Sequence, residues 1–370
     1  MRAIDLFEKV GRDLQHIEDI IYIDGPDAAI GLIDRIRAIA ERPDSLSVKW
    51  DGSPAIKFGR DDAGVFHFGD KFAKEPITSP KEMKAYYMAK VKGELEASRR
   101  QFIGKMARLH SVFERSTPES FRGYIHADLM WSDKLSLTDG TYIFAPNTVR
   151  YIVDASSALG QRIGNSKVGA AAIAYMETFD GPSQAIGNKW KAIEQGELLL
   201  LAPVYVRNRK TSIPENVLLD LERDIRRNAN NIELFIEPEP GLADIRAIIY
   251  RFINQMAAKG KTMDLDNEFP AWIAENPKLS DKKKERIAQR IETNPEGFKA
   301  TFRIVSMFSA IKKDIINDLE GPTLADVGIR AELVSGAPGG EGFVDAPKGK
   351  APLKFVDRET FSMANFARGL

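Results

Sequence analysis

An α+β fold with a mostly antiparallel core is predicted by three textures in the chain: helical periodicity over residues 4–41, short β-type runs broken by turns from 46 to 72 and again after 123, and an almost wholly helical stretch over 213–329. The same textures divide the chain into an N-terminal helical segment (1–43), the first part of a mixed core (44–212), an inserted helical domain (213–329) and the last strands of the core (330–370).

In the first segment Ile17, Ile20 and Ile21, then Ile30, Ile33, Ile36 and Ile39, recur at the spacing that gathers apolar side chains on one helix face. Asp24-Gly25-Pro26-Asp27 separates two helices, because proline lacks the amide a continuing helix needs yet suits a first turn. The opening residues, 1–8, read as an amphipathic helix start without the apolar stretch of a secretion signal. Leu46 and Val48 begin a strand, and 55–59 with 65–69 flank Asp61-Asp62-Ala63-Gly64 as a hairpin. Residues 80–115 return to helical spacing. Strands follow at 124–131, 141–153, 167–177 and 197–206, with Asp139-Gly140 as a turn between the first two. Ser212-Ile213-Pro214-Glu215 is a helix start signal and Glu320-Gly321-Pro322 a stop signal. Strand texture returns at 330–334 and 352–356, around a flexible Gly-rich loop and Glu341-Gly342-Phe343-Val344.

The 53 basic and 53 acidic residues balance, so no global field draws the chain to nucleic acid or membrane and any polyanion site is a local patch. One such patch is suggested at 276–313, where ten Lys and Arg face four acidic residues; the pattern suits a solvated helix face or a phosphate-backbone contact surface. The absence of cysteine excludes disulfides, thiolate metal sites and a cysteine nucleophile. His16, His67, His110 and His126 lack ligand spacing, and no Gly-x-Ser-x-Gly elbow is present. No apolar run reaches the length of a membrane span, and a soluble cytoplasmic protein with no membrane partner is expected.

Lys49-Trp50-Asp51-Gly52 carries the most chemistry: a lysine, a carboxylate and a glycine at the end of an apolar run. A lysine amine that attacks the α-phosphorus of a nucleoside triphosphate needs a neutralised phosphate and a carboxylate close by. The same four residues also suit a type I turn, with Asp and Gly chosen for the backbone. Further along come the strand Gly123-Tyr124-Ile125-His126-Ala127-Asp128, then Glu341-Gly342-Phe343-Val344 and, thirteen residues after Glu341, Lys354 inside an apolar strand.

This order over 46–60, 122–131 and 338–356 resembles the covalent nucleotidyltransferase superfamily of ATP-dependent DNA ligases, RNA ligases and capping enzymes. The resemblance implies a two-sheet adenylylation core in which Lys49 accepts the nucleotide, Asp51 and Gly52 shape its loop, Asp128 contacts the ribose and the metal side, Glu341 binds Mg²⁺ or Mn²⁺, and Lys354 grips the α-phosphate of ATP. Asp128 stands where the family usually has glutamate. Phe144 and Tyr175 are candidates for the ring that stacks on the base, although each also suits an ordinary core position.

The chain departs from the family at Pro54, where an arginine commonly holds the ribose; Lys71 and Arg150 are possible substitutes. Pro352 replaces a second phosphate lysine, with Lys348 and Lys350 just upstream. Only sixteen residues follow Lys354, which leaves no room for a C-terminal OB domain and favours the RNA-ligase-like branch. The chain is also similar to phage-encoded proteins with Lys-Trp-Asp-Gly-x-Pro-Ala near residue 50 and a terminal Lys-x-Val-Asp-Arg-x-x-Phe, here ending at Phe361, which implies a host cytoplasm. The expected function is an ATP-dependent polynucleotide ligase that forms lysyl-AMP and joins a 5′-phosphate to a 3′-hydroxyl of RNA or DNA. The alternatives are another lysyl-nucleotide transferase, of capping type or acting on a protein or small molecule, and an inactive nucleic-acid-binding or virion-assembly protein of the same fold.

Overall fold

Gly25 adopts a φ of +92°, a conformation that strains other residues, and Pro26 follows as the first residue of the next helix, so the break between the two N-terminal helices falls where the sequence places it. The structure, a computed structural model, describes residues 15–91, 96–239, 244–262, 264–336, 338–347 and 350–367. The expected helix start over 1–8 and Lys348 lie outside the described residues.

In chain order, β1 (Gln15–His16) leads into α1 (Ile20–Ile23) and α2 (Pro26–Glu41), and β2 (Leu46–Val48) precedes Lys49. β3 (Ala55–Arg60) and β4 (Phe66–Asp70) form the expected hairpin, its turn closed by Gly64 at φ +85° and by Val65 N donating to Asp61 Oδ1. α3 (Pro80–Met88), capped by Ser79, and α4 (Ala97–Ser116) occupy the next helical stretch. Then come β5 (Gly123–Trp131), β6 (Leu137–Thr138), β7 (Thr141–Phe144), β8 (Val149–Asp154), α5 (Ala158–Asn165), β9 (Val168–Met176), β10 (Gln184–Ala185) and β11 (Leu198–Leu201). The helical stretch holds α6 (Glu215–Ile236), α7 (Ile245–Ala258), α8 (Leu265–Glu275), α9 (Asp281–Thr293) and α10 (Pro295–Ala325). β12 (Ile329–Leu333), β13 (Phe343–Asp345), β14 (Leu353–Phe355) and α11 (Arg358–Ala367) complete it.

Two elements differ from expectation. The run 141–153 is two strands, β7 and β8, paired antiparallel around a turn at 145–148. α10 does not stop at Glu320 but continues through Pro322 to Ala325. Leu319, Thr323 and Leu324 are all buried, so packing on both sides of the proline outweighs the one helical hydrogen bond that its missing N–H forfeits, and the Pro322 carbonyl accepts from Arg209 Nη2.

The chain forms two compact units. The first takes residues up to Lys49, Tyr205–Thr323 and those from Glu341 onward; the second takes Trp50–Val204 and Leu324–Gly340. In the first, a four-stranded sheet runs β1-β14-β13-β2, parallel between β1 and β14 and otherwise antiparallel. α2 packs on α6 and α7 on α11, and Phe252, Phe269, Phe298 and Phe302 interlock edge to face or tilted in the helical core. In the second, one sheet runs β10-β9-β5-β3-β4, with β11 added parallel to β9, and another runs β12-β8-β7-β6. α3 and α4 cover the larger sheet, burying Phe58, Phe68 and Phe113. The fold is α+β, and antiparallel pairing prevails among the described strands. No helix among the described residues is long and apolar enough to cross a membrane.

Candidate functional site

Lys49 and Glu341, 292 residues apart in sequence, meet in the first unit, with Nζ 2.5 Å from Oε1 and both side chains partly exposed. The ladder between β2 and β13 brings them together. Phe343 pairs with Val48, and one step further Lys49 N donates to the Gly342 carbonyl at 2.8 Å. Gly342 is fixed by sterics as well as by its φ of +104°, since a Cβ there would lie 2.1 Å from the Phe355 carbonyl oxygen of β14. Its N–H donates to Glu320 Oε1, so the Glu-Gly pair needs glycine for the approach of two strands and glutamate for the lysine.

Lys354 comes to the same sheet. Ser47, Val344, Lys354 and His16 form one register row across β2, β13, β14 and β1, and residues in such a row share a face. Lys49, two residues after Ser47, falls on that face by alternation. Burial, together with the positive charges of Lys49 and Arg358, pulls the Lys354 ammonium down from 10.5 to about 8. Burial and the charges of Arg358, Lys354, Lys312 and Lys49 hold His16 far below its ordinary value, so it is neutral at pH 7.

A buried charge network also lies within this unit. Lys312 Nζ donates to Glu18 Oε1 at 2.6 Å with both side chains 2% exposed, Arg358 donates to Asp19, and the Tyr22 hydroxyl donates to Asp19 at 2.5 Å. Burial raises both carboxyls; for Glu18 the charges of Lys312 and Arg358 overcome it and leave the group below the usual range, whereas Asp19 stays above. Burial likewise lowers Lys312.

Asp51, Gly52, Asp128, Phe144 and Tyr175 lie in the second unit. The buried Asp51 carboxylate accepts from Asn147 Nδ2, from Thr148 N and Oγ1, and from Val149 N, while its own N–H donates to the Tyr151 hydroxyl. These bonds tie the Lys-x-Asp-Gly loop to the β7–β8 turn. Gly52 abuts β5 so closely that a Cβ would stand 2.5 Å from Asp128 Cβ, and Ser53 N donates to the Leu129 carbonyl. The loop thus brings Gly52 and Asp128 together. Pro54 begins the approach to β3, its carbonyl accepting from Leu129 N.

Phe144 and Tyr175 stand on different sheets, β7 and β9. Phe144 is buried between Trp131, at 4.9 Å, and Tyr151, at 5.3 Å between ring centroids. Tyr175 donates to the Arg122 carbonyl, carries Lys189 Nζ 4.7 Å over its ring, and borders a cavity of about 650 Å³. Of the two suggested replacements for the ribose arginine, Arg150 pairs with Glu332 at 2.9 Å and Lys71 lies over the exposed Phe72 ring.

Sequence reasoning missed the network behind Lys354 and the partners of Asp51. A signal for Lys312 was present, because Phe308, Lys312, Ile315 and Leu319 share one buried helical face, where an unpaired lysine is costly. Nothing local marks His16, Glu18, Asn147 or Thr148. Among the described residues no group of three His, Cys, Asp or Glu converges as a metal site. Neither the curated proteins nor the solved structures contain a match to the chain. A family model matches residues 12–369, a span that includes Lys49, Asp128, Glu341 and Lys354, and the chain therefore belongs to DUF6267, a family of unknown function.

Proposed function

We propose that the protein is an ATP-dependent covalent nucleotidyltransferase of RNA-ligase type, with the adenylylation core that this implies, and that Lys49 carries AMP to the 5′-phosphate of a polynucleotide. The observation that supports this reading is the meeting of Lys49, Glu341 and Lys354 on one sheet, because three chemically suited residues from opposite ends of the chain have no local reason to converge.

Glu341 Oε1, at 2.5 Å, takes one proton from the Lys49 ammonium and so frees its lone pair; Nζ attacks the α-phosphorus of ATP, the bond to pyrophosphate breaks as the P–N bond forms, and the departing pyrophosphate carries off the second proton. Lys354 neutralises charge on the α-phosphate as it builds. An oxygen of the 5′-phosphate then displaces Lys49, which recovers a proton from Glu341, and the strand's 3′-hydroxyl finally attacks the activated 5′-phosphorus, expels AMP and releases its proton to solvent. Mg²⁺ bound to a triphosphate keeps most of its waters and needs only one or two protein carboxylates, a demand that the partly exposed Glu341 fits. Such a cation lowers the charge repulsion that opposes attack.

The test is incubation with ATP radiolabelled at the α-phosphate and Mg²⁺. Acid-labile label on the wild-type protein and none on Lys49→Ala is the expected result. No label on the wild type with any nucleoside triphosphate, or equal label on the variant, defeats the proposal.

A second reading keeps lysyl-AMP but gives it to a protein or small molecule. It is favoured by the fate of the basic stretch 276–313, where Lys284, Arg286, Arg290, Arg303, Lys312 and Lys313 are all engaged by protein partners. Labelling by GTP in preference to ATP points instead to capping-type transfer.

A further inference from the structure

Cations that the sequence scatters converge in one groove of the second unit. α4 contributes Arg108 and Arg115, two turns apart on its exposed side; Lys134 follows β5 and Lys167 precedes β9, and the four line a cavity of about 330 Å³ with the hydroxyls of Ser111 and Ser132. Two carboxylates answer them. Asp133 pairs with Arg108 at 2.8 Å, and Glu197 is shared by Arg115 at 2.7 Å and Lys167 at 3.3 Å. Lys134 enters no ion pair among the described residues. In a chain whose charges balance overall, this leaves a local excess of two positive charges.

We propose that this groove holds the phosphodiester backbone of a single-stranded polynucleotide, the acceptor of the reaction assigned to Lys49; the identity of the strand as acceptor rests on that reading. Three properties single out such a ligand. The existing pairs are solvent-exposed, so they hold the cations weakly and phosphates exchange readily for Asp133 and Glu197. Guanidinium, ammonium and hydroxyl groups together are the usual donors to phosphate oxygens. No aromatic ring lines the groove, which therefore offers no base stacking and reads charge and backbone rather than sequence. A groove of this volume takes one phosphodiester backbone at a time.

The experiment measures anisotropy of a fluorescent single-stranded oligonucleotide, in RNA and DNA versions, across about 50 to 200 mM salt. Binding of either version supports the proposal, and the tighter of the two identifies the sugar. Lys134→Gln/Lys167→Gln removes two phosphate contacts and should flatten the slope of log K against log salt by about 1.4. Glu197→Gln frees Arg115 and Lys167 and should tighten binding, an effect that a merely structural role for these residues does not produce. An unchanged slope in the double variant, weaker binding in Glu197→Gln, or equal displacement by poly-glutamate, the mark of an acidic protein partner, overturns the proposal. Radiolabelling of Lys49 is run on the same preparations. Loss of strand binding with labelling intact supports the groove, whereas an unlabelled wild type with groove-dependent strand binding defeats the Lys49 reading and leaves the groove standing.

Discussion

Replacing Lys354 by methionine should make the fold more stable at neutral pH while it removes nucleotide labelling. The native state holds this ammonium at about 8 against 10.5 in an unfolded chain. At about 1.4 kcal/mol per pKa unit, that difference is a penalty of roughly 3 kcal/mol on the charged form in the folded protein. Lys354 is part-exposed, so solvent screens part of the penalty, and the expected gain is about 1–2 kcal/mol. Between pH 8 and 10.5 the unfolded chain binds the proton that the native protein has released, so wild-type stability rises with pH in that window relative to the variant. Urea unfolding followed by circular dichroism at pH 7 and near pH 10 reads both effects. Lys354→Met should unfold at higher urea at pH 7, and the advantage should shrink near pH 10. A variant less stable than wild type at pH 7, or an advantage that does not change with pH, refutes the argument that burial and neighbouring cations strain this lysine.

Gly342→Ala must reconcile a φ of +104° with a Cβ 2.1 Å from the Phe355 carbonyl; a loss of about 3 kcal/mol or more is expected in the same unfolding assay, and a change under 1 kcal/mol argues against the close approach of β13 and β14. Lys312→Met leaves Glu18 buried beside Arg358 alone and should cost about 3–5 kcal/mol, whereas Lys312→Met with Glu18→Gln should recover much of it. Equal losses in the single and double variants would show that the two residues do not act as a pair.

The parts of the fold that were legible in the sequence are those with a local cause. Gly25-Pro26 cannot continue a helix, Asp61 and Gly64 close a turn by their own geometry, and alternation around Leu46 and Val48 exposes a strand. The continuation of α10 through Pro322 was not legible, because burial of Leu319, Thr323 and Leu324 depends on partners far away in sequence. In the candidate site, Lys49, Glu341 and Lys354 could be picked out as residue types in order, and their convergence follows from a register that only the assembled sheet displays. Asp51 was legible as a loop residue, but the four donors that engage it come from Asn147, Thr148 and Val149, which carry no motif. In the basic stretch 276–313, likewise, charge is written in the sequence, whereas the neighbours that engage Lys284, Arg286, Arg290, Arg303, Lys312 and Lys313 are not.

The sheet that carries Lys49 is built from both ends of the chain, β1 and β2 before residue 50 and β13 and β14 after residue 340. On a ribosome adding about 5–20 residues per second, Lys49 emerges roughly 15–60 s before Glu341 does. Throughout that interval β2 lacks the neighbour it needs, and a nascent or prematurely terminated chain has no partner for the lysine. Translation through this last sheet segment is therefore a checkpoint on the site: a message cut short before codon 341 yields a polypeptide that holds the whole Lys-x-Asp-Gly loop but neither Glu341 nor the strands β13 and β14 that complete the sheet.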